Sequence, residues 1–212
     1  MKIAAIIPVK TFSNAKTRLD LSTQKVEDLC KIMLEEILQT VSISPQIEKT
    51  IIVTKEEKAI EIGKKFNSII IRDEKEESVN RAVALADKYL LENKFDASIV
   101  FPQDIPYIKT QDIDFMLNYI APPNFAIIVP SRRFDGTNAL VRMPIDLMKT
   151  HYDEDSYKIH MNTAKEHTLN VAMVFVKRIM WDVDNKEDLE FLLEQKDKPQ
   201  IAEKIREVLN SK

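Results

Sequence analysis

Glycine is almost missing: the 212 residues contain two, Gly63 and Gly136. That removes the G-x-G-x-x-G dinucleotide turn and the Walker A loop, since both need several glycines where the backbone approaches a phosphate. A cofactor-binding oxidoreductase of the dinucleotide type is thereby disfavoured. A single cysteine, Cys30, excludes an intrachain disulfide. Its neighbours Val26, Leu29, Met33 and Ile37 follow helical spacing, so it reads as a small core residue. No apolar run approaches the ~20 residues of a membrane span. Residues 3–9 are too short for a secretory signal and lack a cleavage region, so the chain reads as cytoplasmic with no membrane partner. The net charge of -3 lacks the basic excess of a nucleic-acid binder, although it leaves room for one nucleotide in a locally basic pocket. No His/Cys cluster has zinc spacing, and no Ser-His-Asp arrangement stands out.

What is present is an ordinary globular composition, 44% hydrophobic and 31% charged, on a chain long enough for one large α/β domain or two small ones. Strand-like and helix-like segments mostly alternate. Apolar runs predict strands over 2–8, 49–53, 68–71, 97–101, 125–129, 139–143 and 169–177. Helical periodicity predicts helices over 22–41, 76–91, 112–120, 156–166, 186–193 and 201–209. Thr54 and Glu57 read as a capping box for one more helix, which Gly63 would end. With no linker or repeat, one domain over 1–212 is expected. Its first 130 residues read as a doubly wound half, and 131–212 extend the same sheet.

The chemistry-bearing residues cluster where strands end. After the first strand come Lys10, Lys16 and Arg18, three cations in nine residues. The carboxyl end of a strand is where open α/β sheets bind ligands, and side-chain cations suit a triphosphate when glycines are absent. A solvated surface loop is the competing reading. In Phe101-Pro102-Gln103-Asp104-Ile105-Pro106, two prolines hold Asp104 after a buried strand. A pre-placed carboxylate there suits a hard divalent cation, or else a plain turn. In Trp181-Asp182-Val183-Asp184-Asn185, an extended backbone puts Asp182 and Asp184 on one face and the apolar pair on the other. Asp184 or Asn185 is also placed to cap the next helix. Around Asp135-Gly136, a hairpin turn precedes Thr137 and Asn138, which could meet a phosphate or carboxylate; Arg132 and Arg133 lie nearby. Ser156 reads as a helix N-cap with His160 one turn on. Asn80 carries both a donor and an acceptor able to read a base edge, or is simply an exposed first-turn residue.

Taken in order, Pro8-Val9-Lys10 with Ala15-Lys16-Thr17-Arg18-Leu19, Asp104-Ile105-Pro106, Gly136-Thr137-Asn138-Ala139-Leu140, Ser156-Tyr157 with His160, and Asp182-Val183-Asp184 resemble the 2-phospho-L-lactate guanylyltransferase family. The resemblance covers nearly the whole chain. It implies a nucleotide-diphospho-sugar transferase (GT-A-like) fold: a single α/β domain with a mixed, mostly parallel sheet flanked by helices. It also implies GMP transfer from GTP to 2-phospho-L-lactate in coenzyme F-420 biosynthesis, with magnesium as cofactor. Residues 1–130 would then be the nucleotide-binding half and 131–212 the acceptor-binding and metal-ligand half. By the family pattern, Lys10, Lys16 and Arg18 meet the nucleotide phosphates, Asn80 the base, and Asp104, Asp182 and Asp184 the metal. Lys16, Arg18 and Asp104 carry the catalysis. Thr137 and Ser156 hold the phosphorylated acid, with Asn138 and His160 nearby. The chain departs from the pattern at Ser78, Asp135 and Tyr152-Asp153, where the family often has glycine or Phe-Gly. Phosphoenolpyruvate, 3-phosphoglycerate, a sugar phosphate or molybdopterin are alternative acceptors, and a non-catalytic nucleotide-binding regulator is the alternative class. Apolar helix faces permit a homodimer.

Overall fold

The amino-terminal strand β1 (Ile3–Pro8) sends Ile3, Ala5 and Ile7 into one apolar layer and Ala4 and Ile6 into the other. That is the period of two expected of a strand covered on both faces. The computed structural model describes residues 1–153 and 155–211. Among them β1 joins β2 (Lys49–Thr54), β3 (Ile69–Arg72), β4 (Ala97–Val100), β5 (Phe125–Pro130), β6 (Thr137–Met143) and β7 (Val171–Met173) in one sheet, ordered β3-β2-β1-β4-β6-β5-β7. Neighbours are parallel except at β4–β6 and β6–β5, so β6 alone runs against the rest. The mixed, mostly parallel sheet that the resemblance implies is what forms.

One face is covered by α1 (Thr23–Ser42), α2 (Glu57–Lys65), α4 (Thr110–Leu117), α6 (Lys186–Leu193) and α7 (Pro199–Asn210). The other is covered by α3 (Val79–Glu92) and α5 (Ser156–His167). Cys30 lies fully buried in α1, and burial pushes its thiol up to about 12, so it behaves as a core residue.

Two features of the topology place the site. From β1 the chain crosses to β2 on one side, while β4 pairs with β1 on the other. The loops after β1 and β4 therefore part and leave a crevice at the carboxyl ends of these strands. Because β6 is antiparallel to β4, with Val100 opposite Leu140, its first residues Thr137 and Asn138 arrive at that same end.

Local capping departs from the sequence reading at several points. Helix α2 is capped by the Glu56 side chain, which accepts from the Lys58 amide, and Thr54 instead accepts from the Glu56 amide. Helix α3 starts at Val79, not at 76: Ser78 caps it, and the Glu76 carboxylate accepts from the amide and hydroxyl of Thr11. Gly63 is not a helix end. It sits inside α2, where a Cβ would lie 2.5 Å from the Cδ1 of Ile52 and 2.9 Å from that of Ile70, so it is there for close helix–sheet contact. The expected strand 169–177 is paired only over Val171–Met173. The turn before β6 takes its left-handed backbone at Phe134 (φ 57°), not at Gly136. The Ser131 hydroxyl braces that turn by accepting from the amides of Asp135 and Gly136.

Candidate active site

The loop after β1 is folded by two short 3-10 turns, Phe12–Asn14 and Thr17–Leu19, each anchored by a buried apolar residue, Phe12 and Leu19. Lys16 stands between them with a left-handed backbone (φ 54°, ψ 35°), a conformation that costs a residue with a Cβ about 1 kcal/mol. Its side chain enters the crevice. There Nζ donates to Oδ2 of Asp104 and, at 2.8 Å, to Oδ1 of Asp184. Only 8% of the side chain is exposed. Burial alone would lower the lysine pKa, but the two carboxylates outweigh it and hold the group raised and charged.

Asp104 is supplied by the loop after β4, and its backbone carbonyl accepts from the Val183 amide at 3.1 Å. That bond fixes the segment around Asp182 and Asp184 beside the crevice, although the segment forms no strand. Trp181 and Val183 are buried, and the two aspartates between and after them are partly open, the alternation the sequence predicts. Asn185 caps α6 by accepting from the Asp188 amide, and the Asp188 carboxylate accepts from the Asp184 amide at 3.1 Å. Arg132 and Arg133 both donate to that same buried carboxylate, at 2.9 and 2.6 Å. These arginines therefore clamp the Asp184 segment. Burial, with the charge of Asp104 behind it, pushes the Asp182 carboxyl up. Burial also works to raise Asp184, but the Lys16 ammonium outweighs it and holds that carboxyl below the usual range.

Whether these residues suit magnesium can be tested on their chemistry. All three offer hard carboxylate oxygens, and the buried Oδ1 of Asp104 has no hydrogen-bond partner. The donor set fits. Among the described residues, however, no three acidic, His or Cys side chains are already spaced as a metal cage; the Lys16 ammonium lies between two of the three carboxylates.

On the opposite wall, Thr137, Ser156 and His160 form a buried chain of hydrogen bonds. His160 Nε2 accepts from the His151 amide at 2.8 Å, so Nδ1 carries the ring proton and donates to Thr137 Oγ1 at 2.9 Å. The Ser156 hydroxyl donates to the same oxygen at 3.2 Å. With two donors on its oxygen, Thr137 is left to direct its own proton into the cleft. Ser156 is thus not the helix N-cap expected of it. That position belongs to Asp155, and Ser156 is the first helical residue. His160 is fully buried and acts through Thr137.

Burial, with His151 and Arg142 adding to it, lowers the His160 pKa from 6.5 to about 3. The unfolded chain therefore takes up this proton first as pH falls. The stability His160 contributes is complete above about pH 6.5 and is lost as pH drops toward 3. We expect the stability of His160→Gln to fall less steeply between about pH 6.5 and 4 than that of the unsubstituted protein. The two slopes should differ by at most ~1.4 kcal/mol per pH unit, one proton's worth. Denaturant titrations at several pH values measure this, and parallel slopes would refute it.

These walls enclose a cleft of about 330 Å³ lined by six of the expected residues: Lys10, Lys16, Arg18, Asp104, Thr137 and Asp184. Lys10 and Arg18 are exposed and make no ion pair among the described residues, so both cations are available to a ligand. Five others do not line the cleft. Asn138 donates to Asp182 Oδ1 at 2.9 Å and to the Ile179 carbonyl at 3.0 Å, so it orients the Asp182 carboxylate. Asn80 accepts from the Tyr152 amide at 2.8 Å, which ties α3 to the segment before α5 and uses the acceptor expected to meet a base. Ser156 and His160 reach the cleft through Thr137, and Asp182 is partly open beside Asp184. Gln103 and Tyr152 also line the cleft, each with a buried side-chain oxygen lacking a partner. Gln103 adjoins Asp104 in the proline-flanked loop, which is the one signal that could have singled it out. Among the described residues no helix is long and apolar enough to cross a membrane.

The family profile described as "Guanylyl transferase CofC like" matches residues 3–208. A 2-phospho-L-lactate guanylyltransferase of Methanobrevibacter smithii is 31% identical over 88% of this chain and 82% of its own length. A phosphoenolpyruvate guanylyltransferase of Conexibacter woesei is 29% identical over 92% of this chain and 88% of its own. A solved structure assigned to the nucleotide-diphospho-sugar transferases, from Desulfovibrio desulfuricans G20, superposes with a TM-score of 0.77 at 16% identity, covering 98% of this chain and 95% of that one. At that identity the likeness speaks to the fold.

Proposed function

Because this chain belongs to the CofC-like guanylyl transferase family, we propose that it transfers GMP from GTP to 2-phospho-L-lactate, releasing pyrophosphate, in coenzyme F-420 biosynthesis. The product is lactyl-2-diphospho-5′-guanosine. The observation that carries this reading is the meeting of Lys16, Asp104 and Asp184 at the sheet's switch point, with the unpaired cations Lys10 and Arg18 on the same cleft.

The attacking group is a phosphate oxygen, already ionised at neutral pH because its second pKa is about 6. No general base is required, and His160, buried and neutral, is not placed to act as one. The barrier is mainly repulsion between two polyanions and charge gathering on the leaving pyrophosphate. Lys10, Lys16 and Arg18 answer it by setting fixed positive charge beside the triphosphate. Thr137 presents a hydroxyl proton, already oriented by His160 and Ser156, to an oxygen of the phosphorylated acid. Asp104, Asp182 and Asp184 would hold magnesium, which when bound supplies Lewis-acid neutralisation of the phosphate oxygens.

The relatives differ in acceptor by few atoms, so the direct test is pyrophosphate release from GTP and magnesium with 2-phospho-L-lactate, phosphoenolpyruvate or 3-phosphoglycerate, with ATP, CTP and UTP as controls. We expect release to require GTP and a phospho-acid together, with the highest kcat/KM for 2-phospho-L-lactate. A higher kcat/KM for another phospho-acid would reassign the acceptor. GTP binding without release on any phospho-acid would move the reading to a sugar-phosphate acceptor or a regulator.

A further inference from the structure

We propose that Lys16 is a resident counter-cation for the metal-binding carboxylates, and that a divalent cation binds only as Lys16 withdraws from them to the nucleotide phosphates. This rests on assigning Asp104 and Asp184 to a divalent cation.

The ammonium donates to both carboxylates at once, and its side chain is 8% exposed. Two carboxylates brought together in a crevice repel each other unless a cation lies between them, and here the protein supplies that cation itself. Magnesium binds carboxylate oxygen at about 2.0–2.1 Å and manganese in similar octahedral oxygen sites. An ion that bridges Asp104 Oδ2 and Asp184 Oδ1 would need the position between those two oxygens that the ammonium now holds, and two cations that close repel strongly. Occupancy by Lys16 and by metal is therefore exclusive.

Lys16 has somewhere to go. It sits between two short turns on the same cleft as Lys10 and Arg18, the two cations left free for phosphate. Leaving the carboxylates uncompensated would be unfavourable, and so would leaving the ammonium without a partner in a nearly closed site. Metal on the carboxylates and phosphate at Lys16 satisfy both groups together. Metal and nucleotide should then bind with positive coupling, each raising the affinity of the other by the same factor. The free protein, in turn, would hold metal poorly.

Manganese binding, followed by the electron paramagnetic resonance of the free ion, tests this without turnover. The nucleotide probe is the α,β-methylene analogue of GTP, whose scissile bridge cannot break. We expect the unsubstituted protein to bind manganese weakly alone and strongly with the analogue, the gain being lost in Asp104→Asn. Lys16→Met should bind manganese alone at least tenfold tighter than the unsubstituted protein, and Lys10→Met, which removes an exposed cation from the same cleft, should not. The proposal is overturned if Lys16→Met gains nothing while the Asp104-dependent gain with the analogue is intact, or if Lys10→Met gains as much. If no Asp104-dependent binding occurs in any form, the carboxylate assignment itself fails and takes the proposal with it. A second measurement needs no variant: amine acetylation mapped by mass spectrometry should rise severalfold at Lys16 when saturating manganese is added without nucleotide. Unchanged protection of Lys16 at saturating manganese would also overturn the proposal.

Discussion

Asp104→Asn is expected to lower turnover about 10³-fold or more at saturating GTP and magnesium, equivalent to ~4 kcal/mol of lost transition-state stabilisation. The amide nearly matches the carboxylate in size, so the change removes charge more than volume. The backbone carbonyl of residue 104 still receives the Val183 amide, and Lys16 still has Asp184, so the loop and the segment beside it stay in place. What disappears is a negative charge more enclosed than that of Asp184, with 14% of its side chain exposed against 42%. Enclosure matters because a charge shielded from water acts more strongly on its neighbours. The same substitution at Asp184 should therefore cost less. Steady-state pyrophosphate release with 2-phospho-L-lactate reads both values. A rate for Asp104→Asn within about tenfold of the unsubstituted protein would remove Asp104 from the catalytic machinery.

The pieces of this site that could be read from the sequence are those in which a few neighbouring residues carry the signal. Alternation in Trp181-Asp182-Val183-Asp184 foretold which side chains turn inward, because an extended backbone has a period of two whether or not it joins a sheet. Lys10, Lys16 and Arg18 stood out as cations after a buried strand. What Lys16 does was not legible, since its two partners lie 88 and 168 positions away in the chain. What Asn138 and His160 hold in place was not legible for a related reason. Both belong near the site, but the antiparallel arrival of β6 and the packing of α5 turn them toward Asp182 and Thr137. Ser156 and Thr54 resemble N-caps by type. The N-cap position falls elsewhere in each case, at Asp155 and at Glu56, through differences of one or two residues that propensity alone does not resolve. Arg142 is an anomaly inside the apolar strand Ala139-Leu140-Val141-Arg142-Met143 that the sequence reading passed over, because its partners Asp87 and Ser98 lie 55 and 44 positions away.

That anomaly marks the position with the largest expected effect on stability. Asp87→Ala should destabilise the protein by ~3–5 kcal/mol, because it strands a buried guanidinium. Arg142 is 1% exposed. Its Nη1 and Nη2 donate to the two oxygens of Asp87 at 2.9 and 2.6 Å, and Nη2 also donates to the Ser98 hydroxyl at 3.0 Å. The cluster binds α3 to β4 and β6 at the register where Ser98 faces Arg142. Burial pushes the Asp87 carboxyl up, and Arg142 is the counterweight that favours its charged form. Removing the carboxylate reverses this balance, since arginine cannot shed its proton to escape. For a chain of this length the loss corresponds to a fall in Tm of about 6–20 °C. The double substitution Asp87→Leu with Arg142→Met should recover most of it, because a packed apolar pair has no charge to desolvate. Calorimetric unfolding of the single and double variants decides the matter. A single-variant shift below about 2 °C would mean that the guanidinium finds water or another acceptor once Asp87 is gone. The consequence reaches the site as well. The Arg142 charge is felt by both Tyr152 and His160, so a displaced guanidinium should disturb the acceptor side of the cleft before it disturbs the Lys16 side.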